Sequence, residues 1–143
     1  MNSRPAMLRT RKQQFAPENY LNRELGILAF NRRVLAQAQN TGTPLLERLR
    51  FLSIVSSNLD EFFEIRAAGI KEQIKLGSSF RGADGRSAAE VHRLLSDEAH
   101  AIVNEQYELL NRDILPGMDA EGIRFLRRKN WTEAQREWIH AYF

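Results

Sequence analysis

A chain of 143 residues with 43% hydrophobic content amounts to one domain's worth of globular protein, with enough apolar material for one modest core. It has no cysteine, which excludes disulfides, thiolate metal sites and a cysteine nucleophile and fits a reducing compartment. Its net charge of +3 is unevenly spread: residues 1–17 hold Arg4, Arg9, Arg11 and Lys12 and no acid, while the rest holds the other 17 of 21 basic groups and all 18 acids, so the folded part is close to neutral.

Residues 1–17 show no periodicity and are bracketed by Pro5 and Pro17, which reads as a flexible basic tail. The opening has no apolar stretch of the secretory kind. No run approaches the roughly 20 apolar residues that span a bilayer, so a cytoplasmic protein with no transmembrane segment is expected. The first helix is predicted from about Asn22 to Gln39, capped by Asn22, with Glu24 at its positive end. Leu21, Leu25, Leu28 and Leu35 make one stripe and Ile27, Phe30, Val34 and Ala38 a second, so the apolar face is wide enough for more than one neighbour. Gly26 lowers helix propensity and suggests a close helix–helix approach.

Asn40-Thr41-Gly42-Thr43 breaks the pattern, and Thr43-Pro44 starts another, with proline expected at the first helical position. Leu45, Leu49, Leu52 and Val55 line one side, with Leu46 beside them. Glu47, Arg48 and Arg50 are assigned to water or a partner. The pattern could run on to Ile74, but Ser56-Ser57-Asn58 is read as an interruption, with Asn58 and Glu61 at capping-box spacing. A new helix would then carry Leu59, Phe62, Phe63, Ala67, Ile70 and Ile74 and end near Gly77. After a polar loop, Ser87 and Glu90 form a cleaner capping box. The long helix that follows places Val91, Leu94, Leu95, Ile102, Leu109, Leu110 and Ile114 on its apolar side and is expected to stop at Pro116-Gly117. Long helices with short connections argue for an all-α antiparallel bundle. Beyond it, 122–126 looks like a short strand, Thr132 and Gln135 a cap, and Trp138, Ile139, Tyr142 and Phe143 the start of an apolar stripe. The organisation expected is therefore a tail at 1–17, a helical domain at 18–117 and the truncated beginning of a second domain at 118–143.

Motifs of chemistry are scarce. His92 and His100 stand eight apart and read as surface histidines, His140 has no partner, and HExxH, Walker, GxGxxG and GxSxG patterns are missing. Asp60, Glu61, Glu64, Asp97 and Glu98 read as helix-terminal or solvated acids, with Asp60 and Glu61 also able to hold magnesium through water. Arg48, Arg50, Arg66, Lys71 and Lys75 could hold phosphate, but Glu47, Glu64 and Glu72 can pair with them on a bundle surface. Asn58 has two readings, a helix cap or a ligand contact at a cluster of free backbone amides.

The strings YLNRELGILAFNRRVLAQAQ and PLLERLRFLSIVSSNLDEFFEIRAAGI are long and specific. They resemble the N-terminal domain of the long, multidomain polyphosphate kinases, a likeness that runs over about residues 18–143. The resemblance implies an enzyme that reversibly transfers the terminal phosphoryl group of ATP to inorganic polyphosphate through a phosphohistidine, with magnesium, as a homo-oligomer. It makes 118–143 the start of an α/β head domain and puts the catalytic histidine in later domains. It leaves no catalytic or metal-binding residue in this chain, which alone is expected to be inactive. The N-terminal domain would close over the nucleotide, and Asn58, in SSNLDEF, would contact ATP. The family often has serine-tryptophan where this chain has Gly26-Ile27, so no tryptophan role carries over. Two other readings compete, a nucleic-acid-binding helical module, favoured by the basic tail and Arg127-Arg128-Lys129, and a dimerisation domain. The near-neutral body speaks against nucleic acid.

Overall fold

The computed structural model describes residues 15–143, and among them every regular element is helical. The basic stretch read as a tail lies outside the described residues up to position 14. A single 3-10 turn, Pro17–Asn19, begins at its last residue.

Helix α1 spans Arg23–Gln39. Asn22 caps it, its side-chain oxygen accepting from the backbone amides of Glu24 and Leu25 at 3.1 Å each. Leu28, Asn31, Leu35 and Ala38 are its buried residues, at the three–four spacing of one helical face. Leu21, assigned to that stripe from sequence, is 97% exposed, since it precedes the helix. Gly26 marks no close approach either, because a Cβ there would meet nothing within 4 Å.

A second helical rod runs without interruption from Leu45 to Lys75. It comprises α2, Leu45–Glu61, a π-helical segment, Phe62–Ala67, and α3, Ala68–Lys75. Pro44 occupies the N-cap, one residue earlier than expected. The expected break at Ser56-Ser57-Asn58 does not occur. Serine and asparagine disfavour helix interiors because their side chains compete for nearby backbone. Here two of the three find tertiary partners instead. Ser56 accepts from the Gln106 side chain, and Asn58 donates to Asn31. Asn58 is thus interior to α2, and neither it nor Glu61 caps anything. The irregularity comes four residues later, as the wide π turn. The rod ends in a Schellman motif: Gly77 takes φ 65°, its amide bonds to Ile74 O and that of Ser78 to Gln73 O.

The third rod starts at the Ser87–Glu90 capping box, fully formed, and comprises α4, Ala88–Leu109, a π segment, Leu110–Ile114, and α5, Leu115–Ala120. The expected stop at Pro116-Gly117 is overrun. Pro116 sits in the first turn of α5, directly after the wide turn, where a missing N–H is tolerated. Gly117 lies against Leu45, 3.3 Å from where its Cβ would stand. A second Schellman motif ends this rod, with Gly122 at φ 78°, its amide on Asp119 O and that of Ile123 on Met118 O.

That cap explains why the strand read at 122–126, and with it an α/β character for 118–143, is wrong. Gly122 belongs to a helix terminus, and the residues after it find no strand to pair with among the described residues. The one bridge present is an isolated antiparallel contact between Arg81 and Ser87. A 3-10 turn, Arg128–Asn130, and α6, Glu133–Tyr142, complete the chain. The α6 capping box of Thr132 and Gln135 forms as expected.

The second rod packs antiparallel to α1 and to the third rod, so α1 and the third rod run parallel. The start of α1 meets the loop before α4, where Asn22 donates to Asp84. Its end meets the start of α2 and the second π segment, where Arg48 donates to Ala38 O and pairs with Asp113. The core between them is Leu28, Leu35, Leu52, Val55, Leu59, Phe62, Leu95, Ala99, Ile102, Ile114 and Met118, with smaller residues at its edges.

Candidate functional site

Two of the rods meet at a shallow pocket of about 180 Å³. From α1 come Ile27, Phe30 and Asn31. From α2 come Asn58 and Glu61, and from the π segment Phe62 and Arg66. The π turn is what assembles this group. Eight residues along an unbroken α-helix, a side chain lies about 80° round from its starting point. A π turn holds more residues and rotates less for each. It returns Arg66 to the side of the rod that carries Asn58.

At the centre of the pocket wall two asparagine amides meet. Asn58 Nδ2 donates to Asn31 Oδ1 at 2.9 Å. Asn31 is fully buried, whereas Asn58 is half-buried at the pocket edge. With its nitrogen engaged, Asn58 has its oxygen left over, and no described residue donates to it. Asn31 Nδ2 is buried without a hydrogen-bond partner among the described residues. Such an orphaned donor costs about 1–3 kcal/mol. Around the amides stand Ile27 and Phe30, the latter 50% exposed. Arg66, half-buried, has no carboxylate partner within 4 Å among the described residues.

The remaining residues singled out from sequence scatter. Arg50 pairs with Glu47 at 3.6 Å and Lys75 with Glu72 at 3.8 Å, both exposed and within one turn, as surface pairs do. Asp60 and Glu64 are exposed. His100 is exposed and bonded to Ser96 O, and His140 is exposed. Arg127, Arg128 and Lys129 are exposed at the 3-10 turn. Among the described residues no three His, Cys, Asp or Glu side chains converge to hold a metal ion.

Sequence reasoning missed three buried polar residues. Asn31, Arg48 and Gln106 all sit inside the bundle. Arg48, assigned to water or a partner, is 5% exposed. Gln106 donates to Leu52 O at 3.1 Å and to Ser56. The signal that could have found them is the helical phase: Asn31 falls three after Leu28 and four before Leu35, and Gln106 four after Ile102.

Electrostatics elsewhere are structural. Arg32 bridges Glu98 and Glu105 on α4, and those two carboxylates raise its pKa further above its usual range. Burial pushes the Asp84 carboxyl up, but the Asn22 amide and the Arg86 guanidinium more than offset that and hold it below the usual carboxylate range. Glu90 is likewise held low, chiefly by the Ser87 backbone amide.

The family model described as "Polyphosphate kinase N-terminal domain" matches residues 20–126. Three curated proteins, each named "Polyphosphate kinase", align over 123 residues, 86% of this chain. They come from Burkholderia multivorans at 50% identity, Paraburkholderia phytofirmans at 51% and Neisseria meningitidis serogroup A at 51%. The chain spans 18% of the length of each.

Proposed function

The chain belongs to the polyphosphate kinase family through its N-terminal domain, and from that premise we propose that it covers the nucleotide in an enzyme transferring the terminal phosphoryl group of ATP reversibly to inorganic polyphosphate. The observation that carries this reading is the pocket between α1 and the second rod, with Asn58 at its edge. Its volume is below the several hundred Å³ of an enclosing ligand site. It suits a lid that grips one part of a nucleotide while other domains hold the rest. The apolar shelf of Ile27 and Phe30 suits a flat ring, the amide oxygen of Asn58 suits a donor, and the unpaired guanidinium of Arg66 suits an anion.

Phosphoryl transfer is mostly a matter of positioning and charge neutralisation. A helical lid contributes the first by orienting the nucleotide and shedding water. On this reading the metal and the phosphohistidine belong to other parts of the enzyme. On this reading the helical domain occupies 18–117 and residues 118–143 lead into the next domain. Assembly as a homo-oligomer in the cytoplasm completes it. The exposed Phe63 and Ile65 on the π segment, 44% and 58% accessible, are apolar surface that a second subunit or a neighbouring domain would cover.

The test is Asn58→Ala in a full-length polyphosphate kinase carrying this domain. The substitution leaves the buried Asn31 Oδ1 without its donor, a cost of about 1–3 kcal/mol, so a melting temperature recorded beside the kinetics separates loss of stability from loss of binding. The KM for ATP rises about 5- to 10-fold, the loss expected for one hydrogen bond. Unchanged nucleotide kinetics would remove the lid assignment.

A further inference from the structure

We infer that Asn31 is a positioning residue, which locks the Asn58 amide with its nitrogen inward and its oxygen outward and thereby makes the pocket select a hydrogen-bond donor of the nucleotide. The inference rests on the lid reading above and goes one residue deeper.

A buried amide that satisfies one of its halves and strands the other is a poor way to fill a helix interface. Leucine has nearly the same shape, would pack against Leu28 and Leu35 on the same face, and would strand nothing. What the amide does and leucine cannot do is hold Asn58: Asn31 Oδ1 is the acceptor for Asn58 Nδ2 at 2.9 Å. A free asparagine amide can present either its oxygen or its nitrogen to a ligand by turning over. With the nitrogen fixed on Asn31, what remains for the pocket is an acceptor. Neither residue carries a charge, so the lock is independent of pH through the physiological range.

Asn31 lies in the pocket wall at 0% exposure, and Asn58 is the half-buried amide at its edge. An outward acceptor pairs with an N–H or O–H on the nucleotide. ATP offers two sources, the amino group of the purine and the hydroxyls of the ribose.

The experiment is steady-state kinetics of the full-length kinase with Asn31→Leu, Asn58→Ala and the double variant, each assayed with ATP, with inosine triphosphate and with 2′- and 3′-deoxy-ATP. In the unaltered enzyme, the analogue lacking the paired donor raises KM several-fold. If that is inosine triphosphate the donor is the amino group, and if a deoxy-ATP it is the ribose. Asn31→Leu raises the KM for ATP by about as much as Asn58→Ala, leaves kcat within twofold, and abolishes the discrimination against the affected analogue. The double variant is no worse than either single one. The melting temperature of Asn31→Leu is equal to or above that of the parent, which separates a positioning role from a structural one. The inference is overturned if Asn31→Leu keeps the ATP KM and the discrimination while Asn58→Ala loses them. If Asn58→Ala also changes nothing, the lid reading falls with it. Should Asn31→Leu fail to fold, Asn31→Asp keeps an acceptor facing Asn58 Nδ2. That variant must then retain the order of preference among the analogues, and losing it would equally refute the lock.

Discussion

Arg48 shows how much one buried side chain can organise. Its Nε donates to Ala38 O at 2.7 Å, near the end of α1, and its Nη2 pairs with Asp113 in the second π segment. Three rods are thus tied by one fork-shaped cation. The Asp113 side chain is 48% exposed, so the pair is partly solvated and its Coulombic share is modest. Removing the arginine nevertheless leaves a helix-end carbonyl without its partner. Arg48→Met is expected to destabilise the chain by about 2 kcal/mol, the worth of a hydrogen bond to a charged donor, read as a lower urea midpoint. Arg48→Lys is expected to rescue little, since a single ammonium on a flexible stem does not reproduce the two directed bonds. A midpoint equal to the parent's for either variant would contradict this account. At the same scale, Asn58 was legible as a residue of interest from SSNLDEF. Its partner Asn31 was not, because a polar residue in an apolar phase gives no hint of what it bonds to.

The elements turn on how their ends and widest turns are made. Caps were readable: Asn22, Ser87 with Glu90, and Thr132 with Gln135 all form as their spacing implies, because a cap is satisfied by residues two or three apart. The Asn22 cap carries a second job, donating its Nδ2 to Asp84 at 3.0 Å and so tying the start of α1 to the loop before α4. Because Asp84 has a lower pKa folded than unfolded, its ionised form stabilises the fold. That contribution is fully present above the unfolded value of about 3.9 and is lost as pH falls through the lower folded value. The chain is therefore expected to lose stability on acidification below about pH 4, and Asp84→Asn to flatten that part of the curve. Denaturation midpoints between neutral and strongly acidic pH check it, and equal slopes for parent and variant would exclude the contribution. The π segments were not readable. Phe62–Ala67 and Leu110–Ile114 each insert extra length within a rod, and nothing in the 3.6-residue pattern distinguishes a slightly wider turn from an α turn. The first of them decides which side of the rod carries Arg66.

At the scale of the molecule, the bundle and the C-terminal segment differ in how they are held. The three rods share one core, whereas α6 buries none of its side chains. Trp138 is 65% and Tyr142 70% exposed, and their rings stack on each other with centroids 5.4 Å apart. Both tryptophans lie in this segment, the Trp131 indole donating to Leu126 O at 3.1 Å. Tryptophan emission is therefore expected to be solvent-like in the native chain and to miss the cooperative transition that circular dichroism at the helical bands records. Coincident transitions by both probes would show that the segment docks on the bundle. No helix among the described residues is long and apolar enough to cross a membrane.

The sequence by itself determined the helical character of the bundle, the caps at Asn22, Ser87 and Thr132 and, through two long strings, its kinship. All of these depend on residues close together or on an ordered series of them. Tertiary structure alone decided that Ser56 and Asn58 stay helical, that Gly122 ends a helix instead of opening a strand, and that Asn31 faces Asn58 across an interface. Each is settled by a partner distant in the chain or by the lack of one, and a hydrogen bond between residues 27 apart leaves no local trace in the string of letters.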